Sequence, residues 1–135
     1  MFMHAETAAM LTPQQFFIPG PMPGMNEILA AAKSGHGKGN AYSRMKREWG
    51  NIVWVYAKQA RLHDVPRASL IFEWFEKDRR RDIDNIAAAA KFCLDGLVKA
   101  GVLAGDGQAH VTALAHQFKV DAKRPGVRVT ICLAA

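Results

Sequence analysis

Runs of branched and aromatic residues alternate along this chain with stretches whose apolar positions recur at helical spacing. Gln14 to Ile18 predicts a short first strand. It is stopped by Pro19-Gly20-Pro21-Met22-Pro23-Gly24, where prolines remove backbone donors and glycines permit a turn. Asn26 to Lys33 fits a short helix. Ser43 is placed to cap a long helix running to about Leu62, with Trp49, Ile52, Val53, Tyr56 and Ala60 on its inward face. Ser69-Leu70-Ile71-Phe72-Glu73-Trp74-Phe75-Glu76 predicts a second strand. From Asn85 to about Ala100, alanines with Phe92, Leu94, Leu97 and Val98 predict a second main helix, closed by Gly101. Strands over about Val111 to Val120 and Gly126 to Leu133 follow, joined by a Lys123-Arg124-Pro125-Gly126 turn.

That order, strand, helix, strand, helix, strand, strand, predicts an α/β (α+β) fold: a small mixed β-sheet of about four strands with two main helices packed on it. No repeat, Gly/Ser linker or low-complexity run divides the 135 residues, so a single domain is expected, residues 1 to about 12 forming a flexible extension. Cys93 and Cys132 lie in apolar stretches without zinc or redox spacing and are expected to be buried thiols in a reducing cytoplasm. Neither a membrane span nor a secretory signal is legible.

Charge narrows the partners. Eighteen Lys and Arg against twelve Asp and Glu give +6 and an isoelectric point near 9.6, which suits a polyanion. The glycine-rich Ser34 to Asn40 superficially suggests a phosphate loop. However, Gly37-Lys38 is followed by Gly39 rather than Ser or Thr, and Ala32 stands where the motif needs glycine, so nucleotide hydrolysis is excluded.

Chemistry concentrates at Lys77-Asp78-Arg79-Arg80-Arg81-Asp82-Ile83-Asp84-Asn85. In an extended chain Asp82 and Asp84 project to one side while Ile83 turns to the core. Two carboxylates aimed at one point repel unless neutralised, and Mg²⁺ takes one or two of them while keeping waters and substrate phosphate. Such a site activates water and polarises a phosphodiester. The plainer alternative is that Asp84 caps the helix and Asp82 pairs with neighbouring arginines. A third carboxylate, Asp106, lies in the turn Ala104-Gly105-Asp106-Gly107. Lys91 lies seven residues after Asp84, two turns on along one helix face. It could meet a phosphate there or pair with Asp95. Arg79, Arg80, Arg81, Lys38, Lys46 and Arg47 are candidate contacts to a DNA backbone, with Lys46 and Arg47 on the long helix equally readable as ordinary solvated charges.

Taken as an ordered set, Arg80-Arg81-Asp82-Ile83-Asp84-Asn85, Lys91, Leu94-Asp95-Gly96-Leu97, Lys99-Ala100-Gly101-Val102 and Asp106-Gly107-Gln108 resemble the RusA family of Holliday-junction resolvases. Phe17 to Asn26 resembles that family's Pro-rich start. The likeness implies a homodimeric endodeoxyribonuclease of phages, prophages and bacteria that is Mg²⁺-dependent, with Mn²⁺ able to substitute, and cuts four-way and other branched DNA. It implies that Asp82, Asp84 and Asp106 hold the metal and that Lys91 is the essential lysine, although Lys91 stands three residues later than in the family pattern. The alternative is a non-catalytic, basic DNA-junction-binding module whose acids are caps and ion pairs.

Overall fold

A computed structural model describes residues 12–35 and 40–134. The expected N-terminal extension and Lys38 therefore lie outside the described residues. The elements follow the predicted order: β1 (Gln14–Pro19), α1 (Met25–Lys33), α2 (Ala41–Gln59), β2 (Ala68–Glu76), α3 (Ile83–Ala87), α4 (Ala90–Lys99), β3 (Val111–Val120) and β4 (Gly126–Leu133).

The four strands form one mixed sheet in the order β1-β4-β2-β3. β4 is antiparallel to both β1 and β2, whereas β2 and β3 run parallel, as a helical crossover through α4 requires. One face of the sheet meets the helices. Phe16 and Ile18 of β1, Leu70, Phe72 and Trp74 of β2, and Val127, Val129 and Ile131 of β4 are buried with Val53 and Ala57 of α2 and Phe92, Cys93 and Leu97 of α4. Period-two patterning produces this directly, since alternate β2 side chains fall on opposite faces. The other face carries Glu73 between Lys119 (2.8 Å) and Arg128 (3.6 Å), with Arg128 and Lys119 over Phe75 and Arg124 over Phe17. Lys119's hydrogen bond, chiefly, holds the Glu73 carboxyl below its ordinary range.

Four local expectations need correction. The α2 N-cap is Asn40, whose side chain accepts from the Ser43 amide at 2.7 Å, so Ser43 lies within the first turn. Ala60 falls past the end of α2 and is exposed rather than inward. The helix expected from Asn85 to Ala100 is two helices, with i−3 hydrogen bonds at the join, Lys91 to Ala88 and Phe92 to Ala89. Tightening to about three residues per turn lines up Ile86, Ala89 and Phe92, all buried, more closely than a uniform 3.6 repeat, which would spread them over about 120°. Gly101 ends α4 at φ 78°, a conformation glycine adopts without strain. Cys93 is buried, and desolvation pushes its thiol up; Cys132 is only half-buried, so one of the two expected buried thiols is not fully so.

Strand directions give the sheet two distinct ends. One holds Pro19, Glu76, Val120 and Gly126; the other holds Gln14, Ala68, Val111 and Leu133. At about 3.3 Å per residue, nine-residue β2 separates them by roughly 26 Å.

Candidate active site

The segment after β2 is anchored before it reaches its acids. Glu76 is the last buried residue on the core-facing side of β2. Its two carboxylate oxygens accept from Arg81 Nε and Nη2 at 2.7 and 2.9 Å, a bidentate pair. Arg81 Nη1 also donates to the Met22 carbonyl at 3.1 Å and stands 3.7 Å from Glu27. Its guanidinium is therefore held charged, chiefly by the Glu76 bond. The expectation that Arg81 grips DNA is corrected: it staples the Pro-rich segment to the end of β2. A second staple runs from the Asn26 amide to Asn85 Oδ1 at 3.0 Å. Gly24 permits this approach, because a Cβ there would stand 2.6 Å from Asn85 Oδ1 and 2.9 Å from Arg81 Nη1.

These staples frame a depression of about 300 Å³ lined by Met25, Asn26, Arg80, Arg81, Asp82, Asp84 and Asn85. Both acids of the Asp-x-Asp pair thus line one surface, as their spacing predicts. The reason differs from the one expected. Asp82 is extended only as the N-cap of α3 (φ −69°, ψ 153°), and Asp84 already lies in the helix. Ile83, expected in the core, is 63% exposed, and Ile86 is buried in its place.

Neither acid behaves as the plainer alternative requires. The Asp82 side chain makes no capping bond although it occupies the N-cap. Asp84 Oδ1 accepts only from the adjoining Asn85 amide, at 2.9 Å. The neighbouring arginines are engaged elsewhere, Arg81 with Glu76 and Arg80 with Asp78 at 3.6 Å. Two exposed carboxylates consequently share a depression without a cation from the adjoining arginines, and their hard oxygen donors suit a divalent metal ion.

Asp106 is not with them. Its turn is fixed at the opposite end of the sheet: the His110 and Val111 amides donate to the Gly107 carbonyl, and the Ala68 amide to the His110 carbonyl at 2.9 Å. Among the described residues, no group of three or more His, Cys, Asp and Glu is placed to hold a metal ion. The expected triad of Asp82, Asp84 and Asp106 within one chain is corrected accordingly. Connectivity explains the separation: α4 carries the chain back along the length of β2 before the Asp106 turn begins β3.

Lys91 is exposed on the first turn of α4, a separate helix from the α3 that holds Asp84. It does not pair with Asp95, whose Oδ2 is buried without a hydrogen-bond partner. Arg79 and Arg80 are exposed beside the acids. Lys46 and Arg47 lie in a separate depression of about 310 Å³ with Ser43, Asn51, Asp95 and Lys99. Sequence reasoning missed Lys99 there, and missed Glu76 and Asn26 as anchors; the parity of Glu76 with Leu70, Phe72 and Trp74 was the available signal for the first anchor.

No protein-family model matches the chain, and no curated protein matches it. No helix among the described residues is long and apolar enough to cross a membrane.

Proposed function

We propose that this chain is a Mg²⁺-dependent endodeoxyribonuclease that resolves Holliday junctions and other branched DNA by paired phosphodiester hydrolysis, acting as a homodimer in the cytoplasm. The observation that carries the reading is the pair Asp82 and Asp84, side by side in an open depression and left without partners by the arginines next to them. The ordered resemblance to RusA resolvases supports it. So does the excess of positive charge, with Arg79 and Arg80 at the rim and Lys46 and Arg47 on α2 available to phosphates.

Asp82 and Asp84 would hold Mg²⁺ or Mn²⁺, and a bound ion would supply Lewis acidity toward the scissile phosphate. Asn85 positions the floor of the depression, and the Arg81 staple fixes the end of β2 from which both acids project. Because Asp106 lies at the far end of the same chain, a third carboxylate would come from a second chain.

A second reading follows from the separation of Asp106: a non-catalytic, basic DNA-junction-binding module. The two diverge in one assay. The nuclease should convert a synthetic four-way junction into nicked duplexes with Mg²⁺ and not with EDTA. Asp82→Asn should lower that rate on the order of a hundredfold or more while binding the junction as the wild type does. Undiminished cleavage by Asp82→Asn would refute its assigned role, and binding without metal-dependent product would favour the module.

A further inference from the structure

The depression between α2 and α4 shares no lining residue with the one around Asp82 and Asp84. Lys46, Arg47, Gly50 and Asn51 of α2 meet Asp95 and Lys99 of α4 around its roughly 310 Å³. Three cations face one acid there, so it is net positive. Lys46 and Arg47 are exposed, and among the described residues neither is in an ion pair. Lys99 lies one helical turn after Asp95 yet donates to Asn51 Oδ1 across the depression, and Asp95 Oδ2 is left buried without a hydrogen-bond partner. The acid thus neutralises none of the three cations by contact. Gly50 keeps the space open. Glycine is disfavoured in a helix interior, and a Cβ on Gly50 would meet no heavy atom within 4 Å, so packing does not require glycine there. Beyond the depression, Arg47, Asn51, Trp54 and Lys58 recur at i, i+4, i+7 and i+11 on one exposed stripe of α2. Trp54 is 37% exposed, whereas Trp49 is half-buried and Trp74 buried, and Lys99 Nζ stands 5.9 Å from the Trp54 ring.

We propose that this face of α2 and α4 binds single-stranded nucleic acid, with a phosphate in the depression at Lys46, Arg47 and Lys99 and an unpaired base stacked on Trp54. Uncompensated cations beside an open indole are the combination an unpaired strand selects, since its phosphates are neutralised by the first while its bases offer a π-face to the second. A duplex brings phosphates, but its bases are stacked on one another and have no face to spare. An acidic peptide would neutralise the cations and leave the indole in water. The length of the stripe favours a strand over a free nucleotide: Arg47 to Lys58 spans roughly 16 Å at 1.5 Å per residue, more than one nucleotide covers. The empty volume over Gly50 is then room for the phosphate. The site needs neither metal nor cleavage and stands apart from the nuclease reading; under that reading its ligand is the unpaired part of a branch.

The test titrates the full chain with an oligothymidylate of about twelve nucleotides, at low salt and in EDTA, so that metal-dependent cleavage plays no part and the result is independent of the nuclease reading. Tryptophan emission should be quenched, and Trp54→Phe should remove most of the quenching. Followed by anisotropy of a labelled strand, Trp54→Ala should bind about tenfold more weakly. Lys46→Ala combined with Arg47→Ala should lower the slope of log affinity against log salt by about 1.4, the share of two phosphates on a single strand. These side chains are exposed, so the variants keep the fold. Gly50→Leu, which fills the depression, should melt no lower than wild type and bind about tenfold more weakly. A duplex of the same length should leave the emission unchanged. Absent quenching, equal quenching in Trp54→Phe, or a folded Gly50→Leu that binds as wild type does overturns the site. Equal quenching by the duplex overturns the choice of an unpaired strand, and thymidine monophosphate binding as tightly as the oligonucleotide overturns the strand in favour of a free nucleotide.

Discussion

His116 sits midway along β3, half-buried and stacked on Phe72 with ring centroids 5.1 Å apart. Its Nδ1 accepts from Trp74 Nε1 at 2.9 Å, which fixes a neutral imidazole protonated on Nε2. Burial lowers its affinity for a second proton below that of an ordinary histidine near 6.5. The unfolded chain therefore takes up the proton first as pH falls, and stability drops from about pH 6.5 until the folded form protonates as well. Urea midpoints should decrease between about pH 7 and pH 5.5. His116→Phe should flatten that dependence, and an unchanged slope in the variant would show that another group sets it. At the candidate site, the sequence pointed to Asp82 and Asp84 through an extended-chain spacing, and the two line one depression for a different reason, Asp82 standing at the N-cap of α3 and Asp84 within it. The fate of their neighbours was not legible: which of three consecutive arginines turns inward depends on Glu76, and burial of that carboxylate follows from sheet packing rather than from the local run of charge.

The crossing of α2 over α4 depends on a missing side chain. A Cβ on Gly96 would stand 2.4 Å from Val53 Cβ and Cγ1 and 3.1 Å from the Gly50 carbonyl. Gly96→Ala should thus cost roughly 1–3 kcal/mol through overpacking, despite the better helix propensity of alanine. A denaturant titration measures this, and a variant as stable as wild type would mean the two helices can slide apart at little cost. Gly96 falls within the Leu94-Asp95-Gly96-Leu97 stretch of the family resemblance, so part of that signature reflects packing. Most element boundaries were legible because strand and helix periods differ and because prolines and glycines punctuate them. The split between α3 and α4 was not, since a run of four alanines carries no period; the burial of Ile86 with Phe92 selects the tighter turn.

What the chain could not disclose on its face is which end of the sheet each motif occupies. Asp106 follows Asp84 by a single helix in sequence, yet parallel alignment of β2 and β3 sends it to the far end of a sheet whose two ends stand roughly 26 Å apart. The same connectivity has a consequence for synthesis. β4 lies between β1 and β2, so the first strand has no partner until the last one exists: Gln15 donates to Thr130 Oγ1 across 115 positions. Pairings this remote are slow to close and leave apolar edges open meanwhile. Nascent chains arrested on the ribosome before Gly126 emerges should remain protease-sensitive throughout, and acquire resistance in one step once Leu133 clears the exit tunnel. Early resistance of the segment up to Val120 would show that α2, α4 and the β2–β3 pair fold as a separate unit.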